Sequence, residues 1–219
     1  MSYSLALAPV LAAALWYVYT RERARVRIER RRLLVECADC VQNALIRYDP
    51  MGYPIVQGRH CGLDVQFSAI VDDISVRKLP QLLMFITLRG KIASPGIVDA
   101  LAAPQNTDFY SPWGRLPHEV KLHGWPAHVA IRTDAPGNRA VLDAIHQHRD
   151  IFDDWRVKEV LISQRGVRLA YRLQEGRRDV YLLLRQAAFG AVRVDAPLAQ
   201  RLLDVSVRIY QDAASAQQA

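Results

Sequence analysis

Residues 3–20 (YSLALAPVLAAALWYVYT) carry no charge, and residues 21–32 (RERARVRIERRR) carry seven arginines. Eighteen helical residues rise about 27 Å, close to the roughly 30 Å of a hydrocarbon core. Trp16, Tyr17 and Tyr19 cluster at the far end of the run, where amphipathic rings favour the membrane–water boundary. The pattern predicts a single transmembrane anchor over residues 1–20. A cleavable leader fits poorly, because bulky and then basic residues (LWYVYTRER) stand where a small, neutral cleavage site is required.

Beyond the arginines, Leu33, Leu34, Cys37, Val41 and Leu45 recur at three- and four-residue spacing, one apolar helical stripe. The expectation is a basic, then amphipathic, juxtamembrane helix over 21–48, stopped by Asp49-Pro50-Met51-Gly52. Strand periodicity follows. Leu63, Val65, Phe67 and Ala69 alternate with polar residues, and 82–88 (LLMFITL) is continuously apolar. Residues 95–102 suggest a small helix, and 103–118 (APQNTDFYSPWGRLPH) a loop. Further strands are expected at 119–122, 127–133, 157–163 and 167–173, the last two forming a hairpin around Gln164-Arg165-Gly166. Helices are expected at 139–148 and 197–210, and 180–184 reads as either strand or helix. The fold class is α+β. A mixed or antiparallel sheet with a few packed helices spans 51–212, with a possible subdivision near 103–118 and a disordered tail at 213–219.

Charge alters this picture in one respect. The chain is +7, and residues 21–32 contribute +5 of it, seven Arg less two Glu. The folded body is therefore nearly balanced, which argues against a nucleic-acid binder, whose basic excess belongs on the body. Arginine beside a span stays cytoplasmic, so the expected topology is N-terminus out and C-terminal domain in, at a bacterial inner membrane. Arg21, Arg23, Arg25 and Arg27, with Trp16, Tyr17 and Tyr19, form the expected membrane interface, with anionic lipid as partner. Three cysteines without a pairing framework suit a reducing compartment.

Candidate chemistry is sparse. Cys37 and Cys40, with His60 and Cys61, are metal candidates by residue type. However, adjacent His-Cys is the wrong second pair for zinc, and the CxxC falls within a helical stripe. His118, Glu119 and His123 are catalytic candidates, although H-E-x-x-x-H has one residue too many for a helical metal site. Asp72, Asp73, Arg77, Lys78, Trp113 and Trp125 mark a possible partner surface. No phosphate-binding, dinucleotide, nucleophile-elbow or kinase signature is present, and no cofactor is expected. The leading expectation is a non-enzymatic docking, assembly or regulatory protein that associates with a membrane protein or with itself. The alternatives are a membrane-tethered enzyme or ligand binder with a site near 108–128, and a membrane-associated nucleic-acid binder.

Overall fold

A computed structural model describes residues 3–73, 79–105 and 108–215, with side chains in all of these except 3–10 and 184. The fold is α+β, with a large antiparallel sheet and few helices. Helix α1 (Tyr3–Arg31) runs unbroken from the uncharged stretch through most of the arginine block. Among the described residues no helix is long and apolar enough to cross a membrane. Those residues exclude the side chains of 3–10, the first part of the uncharged run.

The expected juxtamembrane helix to residue 48 is not formed. Helix α1 stops at Arg31, tightened by Arg32 N–H to Glu29 O and Leu33 N–H to Arg30 O. Leu33 and Leu34 then turn into the core, at 2 % and 0 % exposure. A short 3-10 turn, Val35–Cys40, follows, and then strand β1 (Gln42–Tyr48). Of the expected stripe, Leu33, Leu34 and Cys37 are buried, with Cys40 beside them, but they lie in turns and a 3-10 segment and not on a helix. Beyond it, pairing with β2 (Pro54–His60) offers the backbone a sheet ladder in place of helical bonds.

Strands β3 (Leu63–Asp72), β4 (Gln81–Arg89), β5 (Val98–Ala102), β6 (His118–Val120), β7 (Val129–Thr133), β8 (Val157–Ser163) and β9 (Gly166–Glu175) complete one nine-stranded sheet. Its order is β1-β2-β3-β4-β9-β8-β5-β7-β6, and every pairing is antiparallel. The strands flanking the 103–118 loop belong to this same sheet. The small helix expected at 95–102 is instead β5, buried at every position because β7 and β8 flank it and both faces are covered. Burial on two faces removes the alternation by which a strand is recognised.

Helices α2 (Arg139–Gln147) and α4 (Ala196–Ser215) pack on one face of the sheet. Val141 and Ile145 of α2 and Leu202, Leu203 and Ile209 of α4 meet Met84, Ile86, Val160, Ile162 and Leu169 in one core. Each such side chain contributes about 1.5–3 kcal/mol by leaving water. Helix α4 continues to Ser215, so the first part of the expected disordered tail is helical. Residues 178–184 form a short helix, α3 (Arg178–Leu184).

Candidate functional site

The face of the sheet away from α2 and α4 mixes buried apolar side chains, Leu83, Phe85 and Leu101, with charged ones, and residues 108–116 cover part of it. Asp99 on β5 aligns with Leu161 on β8, and Glu159 aligns with Leu101, so the two acids are diagonal neighbours on one face. Arg168 on β9 aligns with Leu161 and is the next diagonal neighbour of Glu159. Diagonal positions lie about 7–8 Å apart at Cα, within reach of long side chains.

Arg168 clamps Glu159 from two nitrogens, Nε to Oε2 at 2.9 Å and Nη2 to Oε1 at 3.0 Å. Its Nη2 also donates to the Tyr110 carbonyl at 3.0 Å. Ser111 Oγ donates to Asp99 Oδ2 at 2.6 Å, and the Tyr110 ring lies 5.9 Å from Phe85. Trp113 lies under the Arg132 guanidinium at 4.4 Å and donates from Nε1 to the Ala130 carbonyl at 3.2 Å. The loop is thus fastened to the sheet by side chains of β5, β7 and β9.

Asp99 and Glu159 are both fully buried. Burial, reinforced by the Glu159 charge, holds the Asp99 carboxyl well above its ordinary range. Burial raises Glu159 as well, but the Arg168 charge opposes that rise. Glu159 is thus the acid paired with a cation, and Asp99 the one that burial and its neighbour push toward the neutral form. Asp99 Oδ1 is a buried oxygen with no hydrogen-bond partner among the described residues. The loop closes over this set and is fastened by it.

This pair gives stability a pH dependence. Asp99 binds its proton more tightly in the fold than in the unfolded chain. Its contribution is therefore complete at low pH and is lost as pH rises from the ordinary carboxylate range toward the raised folded value. Asp99→Asn keeps the shape without the charge. The difference in Tm between variant and wild type should shift in favour of the variant as pH rises from 4 to 8, measured by circular dichroism. A pH-independent difference would show that folding leaves the proton affinity of Asp99 unchanged.

The residues anticipated from sequence are dispersed. Cys37 is fully buried, which pushes its thiol up to about 12. Cys40 Sγ contacts the Ala196 carbonyl at 3.6 Å, while the ring Nδ1 of His60 is 3.1 Å from the Cys40 carbonyl oxygen. Cys61 is exposed at the β2–β3 turn. Among the described residues no group of three His, Cys, Asp or Glu side chains is placed to hold a metal ion. His118 and Glu119 are exposed neighbours on edge strand β6, and His123 is exposed in the following turn. Trp125 packs against His146 and Phe152, at ring separations of 6.0 Å and 5.7 Å. Asp72 is buried at the end of β3 and acts electrostatically on Tyr110, so it does approach the loop. Five strands separate β3, which carries Asp72, from β6, which carries His118 and Glu119. Asp73 ends the described stretch, and Arg77 and Lys78 lie outside the described residues.

A cleft of about 1680 Å³ lies at the end of the sheet formed by the β8–β9 hairpin and the connection from β4 to β5. Arg89, Lys91, Arg165, Arg168 and Asp134 are among its charged lining, and none of the anticipated residues is. Arg168 faces both this cleft and the buried acids.

No family model matches the chain, and no curated protein matches it. Among solved structures, the chain is similar to the crystal structure of the mycobacterial trehalose monomycolate transport factor A, TtfA. The identity is 11 %, covering 82 % of this chain and 76 % of that one, at a TM-score of 0.37. Likeness at that level carries no argument about function.

Proposed function

We propose that this chain is a single-pass, membrane-anchored docking or assembly module of a bacterial inner membrane, with its α+β domain on the cytoplasmic side. One observation carries the reading: the uncharged run and the arginine block share one unbroken helix whose last turns are fixed to the domain. Arg30 Nη1 donates to the Met51 carbonyl at 3.1 Å, the Arg30 and Arg31 guanidinium groups lie 5.0 Å from the Tyr53 and Tyr48 rings, and Leu33 O accepts from Val194 N–H at 2.9 Å. A helix of 29 residues is about 43 Å long. Such a junction holds a domain at a set position beside a membrane instead of letting it swing on a linker.

The cleft supplies the docking face. Arg89, Lys91 and Arg165 line it, and among the described residues none of them has a carboxylate within ion-pair distance. An acidic segment of a membrane-associated partner fits that charge.

A mild-detergent extract of the full chain should yield a stoichiometric partner, and the double variant R89E/R165E should lower its recovery at least tenfold. Monomer alone from the wild-type extract would overturn the docking role. A reporter fused after Ala219 should be active only in the cytoplasm; periplasmic activity would reverse the topology.

A further inference from the structure

Eight large apolar side chains outside α1 are exposed among the described residues, and five of them, Tyr48, Met51, Trp155, Leu182 and Leu183, gather at one end of the sheet. Register defines that end. Tyr48 closes β1, Gln81 of β4 pairs with Glu175 of β9, and Val157 opens β8. Met51 lies in the β1–β2 turn, Trp155 precedes β8, and α3 follows β9. The last turns of α1 reach the domain at this same end, through Arg30 on Met51 and Tyr53 and Arg31 on Tyr48. Residues 186–190 and Val192, just after α3, line a pocket with Val26 and Arg30 of α1 and with Leu33.

We infer that this end of the sheet is a lipid-facing surface, on which α3 lies as a second, interfacial contact with an anionic bilayer. The inference rests on the reading of α1 as an anchor, and it adds where the domain sits. Helix α3 reads RDVYLLL between Arg177 and Arg185. Leu183 is 82 % exposed and Leu182 58 %. Adjacent leucines that a soluble surface leaves bare, beside a tyrosine and between arginines, have the composition of an interfacial segment.

Charge selects lipid over an apolar protein groove. Glu175 and Asp179, the acids beside α3, are already paired, with Arg172 and Arg177, while Asp49, Asp73 and Asp153 lie at the same end of the sheet. Among the described residues Arg30, Arg31, Arg178 and Arg185 have no carboxylate within ion-pair distance, which leaves a cationic rim around the leucines for anionic headgroups. From Thr20 to Arg31 the helix rises only about 16 Å, and the headgroup layer fills about 5–8 Å of that. A lean of α1 toward the α3 side closes the remainder, and membrane helices commonly tilt by about 20°.

The test uses the full chain with Cys61→Ser, so that the exposed native thiol does not react. An environment-sensitive fluorophore is attached at Leu183→Cys or, as a control at the opposite end of the sheet, at Gln164→Cys. The protein is reconstituted in vesicles of phosphatidylethanolamine and phosphatidylglycerol carrying brominated acyl chains. The label at 183 should be quenched at least twofold and the label at 164 unaffected, with quenching at 183 reduced when phosphatidylglycerol is replaced by a zwitterionic lipid. An unquenched label at 183 on vesicle-bound protein would overturn the inference and leave the anchor standing. Protein that fails to float with the vesicles would remove the anchor, and the inference with it.

Discussion

Replacing Arg168 with methionine should destabilise the fold by about 3–5 kcal/mol, the cost of leaving a buried charge without its partner. Glu159 is fully buried, and the Arg168 guanidinium holds both of its oxygens. The same substitution releases the Tyr110 carbonyl, which Arg168 ties down at 3.0 Å. Denaturant unfolding of the full chain checks the magnitude, and the double variant E159Q/R168M isolates the cause. Removing both charges should restore most of the loss, because a buried pair contributes little net stability over neutral replacements. If the double variant is as unstable as R168M, the loss comes from the methionine packing badly and not from the orphaned acid.

Gly166→Ala should cost about 3–4 kcal/mol, for reasons of backbone and not of charge. Gly166 opens β9 at φ +130, where an L side chain is strained, and a Cβ there would collide with the Leu88 carbonyl oxygen on β4. That oxygen belongs to the central ladder and cannot swing aside as a side-chain tip can. Gly62 supplies the control. It also has positive φ, +78, but nothing lies within 4 Å of its added Cβ. Gly62→Ala should therefore cost only the conformational part, about 1 kcal/mol. Equal losses at the two sites would show that the hairpin gives way without difficulty.

The sequence disclosed elements best where one face meets the core and the other meets water. Strand β3 was legible because Val65, Phe67 and Ala69 alternate with less buried neighbours. Helix α4 was legible because Leu202 and Ile209 recur on one side. Reading failed where that contrast is absent. Strand β1 is an edge strand, exposed almost throughout, so Leu45 extends by spacing alone an apparent helical stripe whose members Leu33, Leu34 and Cys37 are buried in turns and a 3-10 segment. Strand β5 is buried throughout, and its alanines resemble a helix.

The Asp99–Glu159–Arg168 set stayed hidden for a related reason. Within strands that alternate, Glu159 and Arg168 occupy the positions a half-buried strand gives to solvent. Only the folding of the 103–118 loop onto that face turns them into interior groups. The one local hint was an acid inside the apolar stretch 97–102. His118 and Glu119, by contrast, drew attention through motif-like spacing and proved to be exposed neighbours on an edge strand.

The pairing of β4 with β9 has a consequence for synthesis. Arg89 and Gly166 are partners, yet the ribosome needs about 4–15 seconds to make the residues between them, at about 5–20 residues per second. During that interval residues 81–89 (QLLMFITLR) stand as an open, apolar strand edge, a ready template for another nascent chain. The growing polypeptide is thus most prone to aggregation halfway through translation, and its last third is what closes the seam.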